Sequence, residues 1–247
     1  MSEGVSPVGR PLGRTDLLTS VGQRLAAGSS VLLAGVAGIG KSTVLAAAVG
    51  QVVGTGARVL RCAPARADAG LSFLALADLL EPVPAELFDR LPAVPRRALS
   101  AALQRGQAPA AQPEPLAVRL AVRQVLRELA ASGPVVLAID DLQWVDQDSA
   151  QVLAYAFGRL GGSGLRVLAT ERVEAGRPRL RSLLPTGAVE LAVGPLDEEA
   201  LVTLLRQRSG ELVRRPLALE IHRATDGNPL FALEIADALV RQGRPLA

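Results

Sequence analysis

Short apolar runs alternate with longer amphipathic stretches along most of the chain, and this alternation predicts an α/β fold. Apolar runs of strand length occur at residues 30–34, 58–62, 135–139, 165–170 and 189–193. Helical periodicity occupies the intervals, at residues 16–27, 41–53, 71–80, 96–104, 116–131 and 149–160. Strands that alternate with helices form parallel sheets with right-handed crossovers. We therefore predict a mostly parallel five-stranded sheet flanked by helices.

The pattern changes at both ends of this region. Residues 1–14 are rich in glycine and proline and predict an extended arm, after which Thr15 is expected to cap the first helix and Gly28 to end it. Beyond residue 195 only helical patterns remain, at 197–207, 217–225 and 229–241. We expect three parts: an N-terminal arm and helix at 1–28, a sheet domain at 29–195 and an incomplete helical lid at 196–247.

Composition narrows the classes of function. The 247 residues are 49% hydrophobic and 21% charged, as in a soluble globular protein, and only 2% aromatic, which argues against stacking surfaces for single-stranded nucleic acid. The pI of about 9.9 is weak evidence for nucleic-acid binding, because all but one of the 27 basic residues are arginine, as biased coding composition would give. The chain has one cysteine, Cys62, and one histidine, His222. A single cysteine excludes an internal disulfide and a cysteine-based metal site.

A membrane-spanning segment and a signal peptide are not indicated, since no apolar run reaches 18 residues and the start of the chain has no charged region followed by an apolar one. We therefore expect a cytoplasmic protein with no membrane partner.

A phosphate-binding loop follows the first predicted strand. Residues 35–42 (GVAGIGKS) match G-x-x-x-x-G-K-[ST], the Walker A motif, between a strand and a helix. Its glycines let the backbone wrap closely around phosphate oxygens, while the following helix contributes its positive end. Lys41 is expected to reach the β- and γ-phosphates and Ser42 to bind Mg²⁺. The expected nucleotide-binding residues of the loop are Gly35, Val36, Ala37, Gly38, Ile39, Gly40, Lys41, Ser42 and Thr43.

Two carboxylates, Asp140 and Asp141, directly follow the apolar run 135–139. They lie at the C-terminal end of a predicted strand, which is where open α/β sheets bind ligands. We expect Asp140 to be the Mg²⁺ partner, through water, and Asp141 to orient the attacking water, in catalysis with Lys41. Alternatively, Asp141 caps the next segment. Arg172, just beyond the fourth predicted strand, is expected either to contact the γ-phosphate as a catalytic sensor or to pair with a surface carboxylate.

These segments together resemble an ASCE-class P-loop ATPase of the STAND and AAA type. Residues 11–17 (PLGRTDL) resemble the "VGR…EL" entry of such modules, and residues 140–146 (DDLQWVD) resemble the extended Walker B motif of large LuxR-type bacterial transcriptional regulators, which often have His at position 143. Residues 70–80, 168–172 and 226–234 (DGNPLFALE) are similar to further segments of that family.

The resemblance implies an ATPase module whose bound ATP or ADP sets the conformational state of a larger regulator. It places Leu12, Gly13, Arg14 and Pro229 near the nucleotide base, although Pro229 also suits a helix start. Full-length relatives continue into helical repeats and a helix-turn-helix. Neither is recognisable here, so we expect an excised module, a truncated product or a stand-alone homologue that does not itself bind DNA.

Four functions are compatible with the motifs. The first is a transcriptional-regulator switch that binds and slowly hydrolyses ATP with Mg²⁺, in contact with further domains or with copies of itself. The second is an AAA-type remodelling motor in an oligomeric ring, which requires an arginine finger from a neighbouring subunit. The third is a small-molecule kinase, for which Trp144 and the two aspartates give no support. The fourth is a nucleotide-binding scaffold without turnover.

Overall fold

Five parallel strands form one sheet in the part of the chain that the structure describes. The structure is a computed structural model that describes residues 11–104, 113–174, 183–209 and 213–243. The sheet order is β2-β3-β4-β1-β5, and every paired register is parallel. The strands are β1 (Val31–Gly35), β2 (Arg58–Cys62), β3 (Val135–Ile139), β4 (Leu165–Arg172) and β5 (Val189–Ala192). The predicted α/β class with a parallel five-stranded sheet is confirmed.

Helices connect the strands and then form a group of their own after β5. They are α1 (Thr15–Ala26), α2 (Lys41–Gly54), α3 (Leu74–Leu80), α4 (Ala85–Asp89), α5 (Ala93–Ala102), α6 (Pro115–Ala131), α7 (Gln147–Phe157), α8 (Glu198–Ser209), α9 (Arg215–Thr225) and α10 (Pro229–Arg241). The arm expected at residues 1–14 and the loop expected at 105–115 lie largely outside the described residues.

Two local predictions need correction. Thr15 is already helical, and Arg14 occupies the N-cap position without a side-chain hydrogen bond, so the predicted Thr15 cap is wrong. The turn at Gly13, whose φ is 63°, brings the chain into helical geometry one residue earlier than expected. In contrast, Gly28 has a φ of 91° directly after the C-cap and ends α1 as predicted.

Helix α3 begins three residues later than the periodicity predicts. A 3₁₀ turn covers Arg66–Gly70, and Phe73 adopts a left-handed φ of 63° before the helix starts. The one-turn helix α4 was missed because prolines crowd this region and a single turn carries too little periodicity to detect.

The strands place alternate side chains in two separate cores. All five residues of β3 are buried: Val135, Leu137 and Ile139 join the core beneath α6 and α7, while Val136 and Ala138 join the core beneath α1 and α2. This alternation is the period-two geometry of a strand covered on both faces. The carboxyl ends of the strands are therefore fixed rigidly at one edge of the sheet.

A third core holds α8, α9 and α10 together, built from residues such as Leu201, Leu205 and Ile221. The α9–α10 turn packs on the segment leading out of the sheet, since Leu196 N donates to Gly227 O at 2.9 Å. His222 Nε2 lies 3.0 Å from Leu196 O, which gives this histidine a structural partner. A separate helical core supports the three-part division of the chain, which remains a proposal. Over the described ranges, no helix has both the length and the apolar character that a membrane span requires.

Candidate nucleotide site

The glycine-rich loop after β1 wraps around an open space at the start of α2. Gly38 and Gly40 have φ values of 74° and 96°, which favour glycine, and Gly40 caps α2 without a side-chain hydrogen bond. The first amide groups of α2 thus receive no side-chain cap and face the region where an anion binds to a helix start. The loop has the backbone form that the motif predicts.

Lys41 is held inside this loop with 7% of its surface exposed. Its Nζ donates to Val36 O at 2.9 Å. Burial lowers the pKa of Lys41, the field of Asp141 opposes this effect, and that of Arg172 adds to it. The Lys41 ammonium group is therefore close enough to interact electrostatically with Asp141, which follows β3, and with Arg172, at the end of β4.

A cavity of about 700 Å³ lies between the loop and the C-terminal helices. Its lining includes many of the residues predicted for nucleotide binding or catalysis: Leu12, Arg14, Gly38, Ile39, Gly40, Lys41, Ser42, Thr43, Asp141, Arg172 and Pro229. Gly13 lies to the side, where a Cβ would come 2.9 Å from the Cβ of Ala200 on α8. Asp140 lines an adjoining cavity of about 390 Å³, which it shares with Ser42.

The two aspartates after β3 are joined by Thr170 from the neighbouring strand β4. Thr170 Oγ1 donates to Asp140 Oδ1 at 2.6 Å and accepts from Asp141 N at 2.7 Å. Asp141 takes a left-handed φ of 56°, and its side chain caps no helix. Asp141 thus occupies the N-cap position of the 3₁₀ turn Leu142–Trp144, as the alternative interpretation predicts, but without a side-chain capping hydrogen bond. Thr170 was not singled out from the sequence, and the signal available was its position beside Arg172 at the end of a central strand.

Gln143 links Asp141 to β4. Its Nε2 donates to Asp141 Oδ1 at 2.8 Å, and its Oε1 accepts from Arg172 N at 3.1 Å. The Arg172 guanidinium lines the large cavity and also lies 3.6 Å from a Glu174 carboxylate oxygen. The predicted pairing with a surface carboxylate is therefore present, and the contact with a γ-phosphate stays a prediction.

Asp146 is the acidic residue that caps the helix after the Asp140–Asp141 pair. Its carboxylate is 3% exposed and accepts from Ser149 N at 2.9 Å, which caps α7. It also accepts from Phe73 N at 2.9 Å and Ala75 N at 3.1 Å, at the start of α3. One buried carboxylate thus fixes the beginnings of two helices that are distant in sequence.

Arg14 makes its hydrogen bonds inside the protein. Its Nη2 donates to Gly194 O at 2.6 Å and to Ile39 O at 3.1 Å, and its Nη1 donates to Pro195 O at 3.3 Å. Burial lowers the pKa of Arg14, and Asp197 opposes this effect. Arg14 therefore ties the chain entry, the phosphate loop and the exit from the sheet to one another while it borders the cavity.

The start of α10 touches the phosphate loop directly. Asn228 Nδ2 donates to Ala37 O at 2.9 Å, and Leu230 N donates to Gly38 O at 3.3 Å. Asn228 Oδ1 also caps α10 by accepting from Leu230 N at 3.1 Å. Pro229 is the first residue of α10 and lines the cavity, so both interpretations of this proline are compatible with the structure.

The chain matches a known sequence family across most of its length. The profile of the AAA ATPase domain matches residues 7–170. This chain belongs to the AAA ATPase domain family. No curated protein sequence matches it significantly.

Solved structures of low sequence identity share the fold. A STAND protein with a tetratricopeptide repeat sensor from Pyrococcus horikoshii is 16% identical with a TM-score of 0.51, over 88% of this chain and 28% of that one. The Aeropyrum pernix ORC1 protein, solved with DNA, is 15% identical with a TM-score of 0.55, over 94% and 61%. AMPPCP-bound DnaA from Aquifex aeolicus is 16% identical with a TM-score of 0.51, over 98% and 64%. The chain thus spans between about a quarter and two thirds of these proteins.

The AAA ATPase domain offers a donor set suited to Mg²⁺ and a phosphate chain. Ser42 and Asp140 border one cavity and supply a hydroxyl and a carboxylate, which are hard oxygen ligands. No cluster of three or more histidine, cysteine or acidic residues with metal-binding geometry occurs among the described residues. Mg²⁺ in nucleotide sites keeps several waters and uses one or two protein ligands together with phosphate oxygens.

Proposed function

We propose that this AAA ATPase domain is a regulatory switch module that binds ATP and hydrolyses it slowly, as part of a STAND-type transcriptional regulator. The observation that carries the proposal is the direct contact between the C-terminal helices and the phosphate loop. The Asn228 side-chain amide and the Leu230 backbone N–H donate hydrogen bonds to the carbonyls of Ala37 and Gly38, so a change in the loop reaches the start of α10 through these two bonds.

The residues around the cavity suggest a division of labour for hydrolysis. The backbone of Gly35–Thr43 would hold the phosphates and Lys41 would neutralise the β- and γ-phosphate charge. Ser42 and, through water, Asp140 would hold Mg²⁺, which would offset the negative charge of the phosphates. Asp141 would orient water in line with the γ-phosphate, and Arg172 would contact that phosphate as a sensor.

The base of the nucleotide would lie near Leu12, Arg14 and Pro229, which border the same cavity as the phosphate loop. Gly13 would act there only by shaping the turn that positions Arg14. When hydrolysis or exchange alters the contacts of Arg172 and Pro229, the helical group would shift relative to the sheet. This movement would be the output of the switch.

The wider setting of the switch rests on motif resemblance. Residues 140–146 and 226–234 resemble segments of large LuxR-type regulators, and the STAND structure shares the fold. We infer a cytoplasmic module that works with further domains, such as helical repeats and a helix-turn-helix, or by self-association. DNA binding would then belong to other parts of the regulator.

Two substitutions test the site in the purified chain. Lys41→Ala should abolish tight ATP binding, because it removes the ammonium group nearest the phosphates. Asp141→Asn should keep ATP binding and lose turnover, because an amide polarises water poorly. Asp148→Asn, at an acidic residue in the first turn of α7, is the matched control and should change neither property. Unchanged ATP affinity in Lys41→Ala would refute the assigned site.

Turnover and bound nucleotide then separate the switch from its alternatives. ADP or ATP retained at about one per chain, with slow release, supports a gated switch. An empty site with rapid turnover that rises with protein concentration favours an AAA-type motor acting in a ring. Tight ATP binding with no phosphate release, equal in wild type and Asp141→Asn, indicates a scaffold.

A further inference from the structure

Gln143 joins the carboxylate of Asp141 to the end of β4 by two hydrogen bonds. Its Nε2 lies 2.8 Å from Asp141 Oδ1, and its Oε1 lies 3.1 Å from Arg172 N. Gln143 is half-buried in the 3₁₀ turn Leu142–Trp144, directly after the left-handed backbone at Asp141. The buried Asp146, two residues after that turn, caps the following helix α7.

The two partners fix the orientation of the Gln143 amide. An ionised carboxylate only accepts hydrogen bonds and a backbone N–H only donates them. Reversing the amide would therefore place oxygen against oxygen at Asp141 and two donors against each other at Arg172. A neutral side chain with one donor and one acceptor is required, and glutamine supplies both at the necessary length.

We propose that Gln143 is a positioning residue: it orients the Asp141 carboxylate, and this orientation depends on where the C-terminal end of β4 lies. The inference rests on the proposed hydrolysis at this site. A shift of the Arg172 backbone, when its guanidinium engages or releases the γ-phosphate, would be passed through the Gln143 amide to Asp141. The same residue would thus connect phosphate sensing to the orientation of the attacking water.

Substitutions at position 143 test the contributions of the donor Nε2 and the acceptor Oε1 of Gln143. Gln143→Leu removes both bonds and should reduce the rate of ATP turnover roughly ten- to hundredfold, the range for one hydrogen bond to a charged group. The Kd for ATP should change less than about threefold, because the two hydrogen bonds of Gln143 go to Asp141 and Arg172 and not to the phosphate loop. Gln143→Glu keeps the acceptor but repels Asp141, and should impair turnover at least as strongly.

Gln143→His provides a rescue by the same chemistry. At pH 8 a neutral imidazole donates from one ring nitrogen and accepts with the other, so this variant should recover much of the lost turnover. Gln147→Ala, on the exposed first residue of α7, is the control and should behave as wild type.

A double variant and an exchange measurement distinguish positioning from simple stability. In single-turnover assays sensitive enough to measure the residual hydrolysis of Asp141→Asn, adding Gln143→Leu should reduce that residual rate no further, since it acts through Asp141. Hydrogen exchange at the Arg172 amide should accelerate in Gln143→Leu, because that N–H loses its acceptor. Multiplicative losses with Asp141→Asn, an unchanged Arg172 exchange rate, or an equal loss of ATP affinity would each overturn the proposal. Absence of turnover in the wild type would contradict the proposed function instead, and the exchange rate would still decide the role of Gln143.

Discussion

Replacing Asp146 by alanine should destabilise the whole domain, because one carboxylate serves three buried amide groups. Asp146 Oδ1 accepts from Phe73 N and Ser149 N, and Oδ2 accepts from Ala75 N, at distances of 2.9 to 3.1 Å. The side chain is 3% exposed, so water does not replace it freely. The substitution uncaps α7 and leaves the amides at the start of α3 without their acceptor.

The size of the effect follows from these contacts. A hydrogen bond to a charged group contributes about 1.5–3 kcal/mol, and loss of an N-cap alone costs about 0.5–2 kcal/mol. Since such losses are not additive and some water enters the space, we expect the free energy of unfolding to fall by about 4 kcal/mol. Asp146→Asn keeps one acceptor oxygen for two of the three amides and should lose about 2 kcal/mol.

Urea unfolding followed by circular dichroism measures both losses, and thermal unfolding should show a Tm lower by roughly 8–16 °C for the alanine variant. Asp148→Ala is the matched control, because it removes an acidic residue from the same first helical turn and should cost no more than about 1 kcal/mol. A loss in Asp146→Ala no larger than in this control would refute the reasoning.

Three further outcomes follow from the site. Asn228→Asp keeps the α10 cap but loses the donor to Ala37 O, so a fluorescent ADP should dissociate roughly five to ten times faster in stopped flow; an unchanged rate would show that this contact does not gate release. Thr170→Val removes the hydroxyl that joins Asp140 to Asp141 N and should reduce phosphate release about tenfold with the fold intact by circular dichroism, whereas full activity would contradict the arrangement. Burial raises the pKa of Cys62 from 9.0 to about 12, so the folded thiol stays protonated while the unfolded one ionises. Stability should therefore fall as pH rises, with wild type losing about 2 kcal/mol more than Cys62→Ala between pH 8 and 10.5; parallel pH profiles in urea unfolding would contradict this.

The sheet and the phosphate loop were predictable because their signals are local. Strand β3 is five consecutive apolar residues, and the loop is a contiguous motif between a strand and a helix. Helix α10 was predicted with its observed bounds because Asn228-Pro229 carries both a cap and a helix-start proline.

The contacts that organise the site were not predictable, because they join distant parts of the chain. Asn228 reaches Ala37 across 191 positions, and Arg14 reaches Pro195 across 181. The family resemblance implied a place near the nucleotide base for Arg14 and Pro229, which stays a prediction, but it did not indicate that backbone carbonyls accept hydrogen bonds from the Arg14 guanidinium. Which side chains donate to which backbone carbonyls is decided by the packing of the folded chain.

Phosphate release from Mg²⁺·ATP, compared between the wild-type chain and Asp141→Asn at equal nucleotide occupancy, tests the central claim most directly. We predict slow but measurable release by the wild type and loss of release in the variant, with ATP still bound. Equal release by both proteins would contradict the assignment of Asp141 to hydrolysis and, with it, the proposed switch.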